Sequence, residues 1–118
     1  MTLEGMFEAI GGDYKSTLHR FADNEGLLRK FVKKFTQDPT YQDLEQAIEA
    51  EDRDRMFIAA HTLKGLTGNL GFDNFFLACE LLVTVLRGNE QSETIMQRFE
   101  AVKTAYVSVI ETIQKLDE

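Results

Sequence analysis

Apolar residues recur at helical spacing along nearly all of the 118-residue chain, and polar or glycine-containing breaks separate the periodic runs. A short run over about Thr2–Ile10 stops at Gly11-Gly12, and Asp13 is placed to cap a second short helix reaching about Phe21. Asn24 is placed to cap a third, on which Leu27, Leu28, Phe31, Val32 and Phe35 share one apolar face. Asp38-Pro39 reads as a stop and restart, an N-cap residue followed by proline at the first helical position. The helix that follows, to about Glu49, is expected to bury Tyr41, Leu44, Ala47 and Ile48. The run 49-EAEDRDR-55 lacks the glycine and ligand spacing of a calcium loop and reads as a solvated joint. The next helix extends from near Asp52 to Leu70, with Gly71 as its stop. Asp73 is then expected to cap a helix that Gly88 ends; apolar residues nearly encircle it, which predicts the most buried element. A last long helix, Ser92 to about Leu116, carries Ile95, Phe99, Val102, Tyr106, Val109, Ile113 and Leu116 along one stripe.

Four long amphipathic helices with short joints predict an all-α fold, an antiparallel four-helix bundle over about 24–117. Short N-terminal helices, about 1–22, would cover one end, and residues 1–118 would form a single domain. A composition of 43% apolar residues, with one proline and no tryptophan, suits one helical core. The net charge of −7 speaks against nucleic acid or an anionic membrane as partner. The opening MTLEGMFEAIGG has neither the basic start nor the apolar run of a signal peptide, and FFLACELLVTVL, which contains Glu80, is too short to span a bilayer. Cys79 is the single cysteine, so no internal disulfide can form and a reducing, cytoplasmic setting is expected.

One stretch breaks the local rules. The segment 57-FIAAHTLKGLTGNLG-71 lies within a predicted helix yet holds Gly65, Gly68 and Gly71. An interior glycine costs about 1 kcal/mol relative to alanine. At about 100° per residue, Ala59, Leu63, Leu66 and Leu70 fall roughly 140–200° from His61, with Met56 close by, and form the core stripe. His61 therefore points to solvent, and Phe57, Lys64, Gly65 and Gly68 share its face. Glycine on an outward face does no packing within the bundle; it leaves room for another body to approach. Phe57 would offer that body an apolar contact.

The helix supplies no serine, cysteine or carboxylate placed for a triad with His61. It has no second histidine at metal-ligand spacing and no phosphate-binding glycine loop. His19 falls on another short helix and reads as a surface residue. A bare imidazole beside one fixed positive charge, with clearance above it, suits a nucleophile that takes a phosphoryl group from a partner bringing its own catalytic groups.

HTLKGLTGNLG resembles the His-x-x-Lys-Gly-x-x-Gly-x-x-Gly pattern of histidine-containing phosphotransfer domains, with His61, Lys64, Gly65, Gly68 and Gly71 in register. The resemblance implies that His61 accepts a phosphoryl group from a receiver-domain aspartate and passes it to another receiver in a two-component phosphorelay. It further implies that Lys64 offsets the phosphoryl charge, with Gly65 and Gly68 as clearance positions. Leu66 and Thr67 depart from the small residues this family often has there. The expected protein is a monomeric phosphoryl carrier rather than an enzyme, without an ATP site or cofactor of its own; the Mg²⁺ of transfer would belong to the receiver. Two other readings fit the same residues. One is a phosphoacceptor module of a larger hybrid or chemotaxis-type histidine kinase; the other is a helical bundle that binds a receiver without being phosphorylated.

Overall fold

Short polar side chains open four of the seven α-helices among the described residues. Thr2, Asp13, Asn24 and Asp52 each accept a first-turn backbone N–H, from Gly5, Ser16, Leu27 and Arg55 respectively, so one orphan donor per helix is satisfied. The computed structural model describes residues 1–117, and no strand occurs among them. The helices are α1 (Leu3–Ala9), α2 (Tyr14–Arg20), α3 (Glu25–Lys34), α4 (Thr40–Glu49), α5 (Arg53–Asn69), α6 (Asp73–Arg87) and α7 (Ser92–Gln114). Single 3₁₀ turns follow α3 and α7, at Phe35–Gln37 and Lys115–Asp117.

The stops follow one rule. At the ends of α1, α2, α4 and α5 the chain turns left-handed, at Gly11 (φ 67°), Ala22 (57°), Glu51 (54°) and Gly71 (72°). The N–H of the following residue then bonds back to a carbonyl inside the helix, as from Asp52 to Ala47 (3.1 Å) and from Phe72 to Thr67 (2.9 Å). This closes carbonyls that a helix end otherwise leaves open.

Helices α4 to α7 form the antiparallel bundle, each joined to the next by a short turn. Its ring closes through aromatic side chains: Tyr41 of α4 stacks on Tyr106 of α7 with centroids 3.8 Å apart, and Phe35, Phe75 and Phe99 pack around them. The N-terminal helices cover the end at which α5 turns into α6. Asp13 N–H donates to Gly71 O (3.2 Å), and the Arg20 guanidinium donates to Gly68 O (3.1 Å) and Asn69 O (3.0 Å). Two other arginines act alike: Arg53 reaches the carbonyls of Gly88 and Glu90, and Arg29 that of Leu116.

Four expectations need correction. On α3 only Leu28, Val32 and the adjoining Phe35 are buried; Leu27 and Phe31 are exposed, because the helix lies on the bundle along one side. Phe31 pairs instead with Phe21, centroids 5.5 Å apart. Proline 39 caps α4 rather than entering it, although the Asp38 carboxylate still accepts the Thr40 N–H (2.9 Å). Asp73 is the first residue of α6, after a cap at Phe72. The helix is not wrapped all round: it packs between α5 and α7, and Leu77 and Leu81 face solvent.

Cys79 lies on the inner side of α6, fully buried. Desolvation pushes its thiol up to about 12, opposed in part by a hydrogen bond with Thr67. The native protein is therefore expected to resist an aromatic disulfide reagent at pH 8, with thiol release tracking helix opening; fast native labelling would contradict the buried placement. The left-handed Glu51 yields a second expectation. Glu51→Gly should raise stability by about 0.5–1 kcal/mol in urea unfolding, the relief of backbone strain outweighing the added freedom of the unfolded chain.

Candidate functional site

Helix α5 is held along two sides, by α4 and α6, and this fixes which of its faces is free. Met56, Ala59, Ala60, Leu63, Thr67 and Leu70 are buried, and His61 is exposed on the opposite side. The core direction is turned towards Ala60 and Thr67 relative to the expected stripe. Leu66 is consequently half-exposed, and Thr67 takes a core position in its place. The Thr67 hydroxyl tolerates full burial because it donates to Lys64 O at 3.1 Å.

The four residues expected around His61 do lie on its side of the helix, but their surroundings differ. Gly65 is bare: a Cβ built there meets no atom within 4 Å. Gly68 is not bare solvent surface, as expected from the sequence. It is half-buried under Phe76 of α6, and an added Cβ would stand 3.2 Å from that ring. The cause is the close packing of α6, which crosses the seam at this height. Gly68 thus seats a neighbouring ring, Gly65 provides clearance, and Gly71 ends the helix.

Phe57 also departs from its expected role as a free contact. It is half-buried against the core, with its ring stacked on His61 at 5.8 Å between centroids and a 28° tilt. The Arg87 guanidinium lies 5.8 Å from the centre of the same ring. Phe57 therefore supports the imidazole from one turn below. The exposed apolar residue beside it is Ile58, at 65% exposure. The sequence contained that signal, since Ile58 falls about 60° from His61 on the helical wheel.

Lys64 is partly shielded, its Nζ 4.0 Å from Glu80 Oε2 and 5.8 Å from the centre of the Phe76 ring. Neither α6 residue was singled out from the sequence; their approach depends on how α5 and α6 align. His19 remains on α2, with Nδ1 3.7 Å from Asp23 and both side chains largely exposed. Among the described residues no group of three histidine, cysteine or acidic side chains is placed to hold a metal ion. No described helix is long and apolar enough to cross a membrane.

An exposed imidazole, a cation one turn along the helix and open space over Gly65 lie together on this face of α5. A family model of the Hpt domain matches residues 27–116, from within α3 to the turn after α7, and includes every one of these positions. The chain belongs to the Hpt domain family. No curated protein and no solved structure matches it. Hpt domains are phosphocarrier modules of two-component signalling; they work in histidine phosphotransfer, interact with receiver domains and do not bind ATP as enzymes. Helices α1 and α2 lie outside the matched span, so the cover over the α5–α6 turn is an addition to the matched Hpt region.

The unequal surroundings of the two glycines can be measured. Gly65→Ala is expected to stabilise this Hpt domain by up to about 1 kcal/mol in urea unfolding. Gly68→Ala should gain clearly less, because the Phe76 ring must give way. Equal gains at both positions would contradict the seat at Gly68.

Proposed function

We propose that His61 of this Hpt domain takes a phosphoryl group from the phosphoaspartate of one receiver domain and hands it to the aspartate of another. The observation that carries the reading is the exposed His61 ring, with open space over Gly65 and the Lys64 cation on the following turn. In the transfer the lone pair of a ring nitrogen attacks phosphorus in line, the P–O bond to the aspartate breaks, and the carboxylate departs with the bonding electrons. No side-chain base is required, since an imidazole can attack through an unprotonated nitrogen and lose its other proton to water later. Open approach and alignment supply much of the advantage, as phosphoryl transfer asks chiefly for positioning and charge stabilisation. Lys64 serves as the point charge for the phosphoryl oxygens.

The Mg²⁺ of the reaction is assigned to the receiver. The protein is read as a cytoplasmic monomer, a carrier that needs no cofactor of its own. Ile58, exposed beside the histidine, together with the rim of Phe57, suits the apolar part of a receiver contact.

Incubation with a panel of phosphorylated receiver domains and Mg²⁺ tests the reading. Acid-labile, base-stable label is expected on the chain and should be lost in His61→Gln with the thermal midpoint unchanged, because the side chain stands outside the core. Lys64→Ala should slow labelling about ten- to a hundred-fold without abolishing it, as expected for loss of one charge contact. Label that persists in His61→Gln would sink the assignment, and label obtained only from an ATP-loaded kinase domain would replace the receiver as donor.

A further inference from the structure

Lys64 does not stand free beside His61. Its ammonium meets Glu80 and Phe76 together, two residues one turn apart on α6 and so on one face of that helix. Phe76 is in turn seated over Gly68. The side chains of Lys64 and Glu80 keep 26% and 46% of their exposure, so the pair stands open to an incoming anion. The nearby Arg87 guanidinium is turned over Phe57.

We propose that Glu80 is a positioning residue for phosphoryl transfer: it holds Lys64 while His61 is unmodified and competes for the same lysine once the phosphoryl group is attached. The inference rests on the reading of His61 as acceptor. Glu80 makes and breaks no bond. The phosphoryl group still passes from the aspartate oxygen to the ring nitrogen, and the leaving carboxylate retains the electron pair. What changes is the partner of the ammonium, which turns from Glu80 to the phosphoryl oxygens and leaves the Glu80 carboxylate without its counter-charge. An ion pair given up on phosphorylation raises the free energy of the phosphorylated form relative to the unmodified one. Glu80 therefore keeps the phosphoryl group easy to give away, and the domain serves as a carrier in place of a trap.

The test measures the exchange equilibrium of label between His61 and a receiver domain that labels it, for the wild type, Glu80→Gln, Lys64→Ala and the double variant. That constant depends only on the free proteins, so any contact between Glu80 and the bound receiver drops out. Glu80→Gln is expected to shift it about three- to five-fold towards phospho-His61, equivalent to up to about 1 kcal/mol, the upper range for an exposed pair. Lys64→Ala should shift it the other way, and adding Glu80→Gln to Lys64→Ala should change little. Thermal midpoints within a degree or two of the wild type would show that folding is not what moved. No shift in Glu80→Gln, or the same shift without the lysine, overturns the role of Glu80 and leaves the acceptor reading standing. No receiver-derived label lost in His61→Gln overturns the acceptor reading, and the inference falls with it.

Discussion

At Gly71 the backbone turns left-handed, with φ of 72°, and the N–H of Phe72 bonds back to Thr67. A side chain there would be strained by the dihedral and would also run into Thr17. This tight reversal sets the register of α6 on α5: Gly68 faces Phe76, Lys64 faces Glu80 and Phe57 faces Arg87. Each pair lies further from the turn than the one before it. A chain that left α5 one residue later would rotate α6 by about 100° and break all three pairings. The same turn anchors the N-terminal helices, because its carbonyls receive the Asp13 N–H and the Arg20 guanidinium.

Stability and site are thus built from the same few contacts. The core side of α5 carries small residues, Ala59, Ala60 and Thr67, which let α4 and α6 approach closely while the outer side remains open. Buried Thr67 illustrates the constraint: its hydroxyl is satisfied by the helix's own Lys64 carbonyl and sits against the thiol of Cys79 on α6. The arginines that reach across to helix ends at Gly68, Gly88 and Leu116 tie segments distant in sequence, which favours unfolding as one unit. In a chain of net charge −7, the pairing of Lys64 with Glu80 tempers the positive charge one turn from His61.

Much of this organisation was legible in the sequence because it rests on local chemistry. Asp13 and Asn24 cap the helices they precede, Gly71 ends α5, and the inward stripe of α7 holds along its length. The outward direction of His61 followed from helical period alone. What stayed hidden depends on neighbours. Leu27, Phe31, Leu77 and Leu81 have core-like chemistry but lie on sides that no other helix covers. From the sequence Gly68 reads as clearance, because periodicity cannot place Phe76 above it. Glu80 stood in an apolar run as a lone acid, and its meaning emerges only when α6 is laid antiparallel to α5. A surface left-handed residue such as Glu51 gives no sequence cue either, since glutamate is an unusual choice there.

The ring of His61 rests on Phe57, tilted by 28°. A surface imidazole without such a support rotates among several orientations, only some of which present a nitrogen to an approaching group. Stacking on a ring that is itself wedged against the core narrows that choice before any partner arrives. The side-chain entropy given up in that contact is then lost when the chain folds. Phe57, although it presents little free surface, thereby narrows how the His61 ring can stand at the surface.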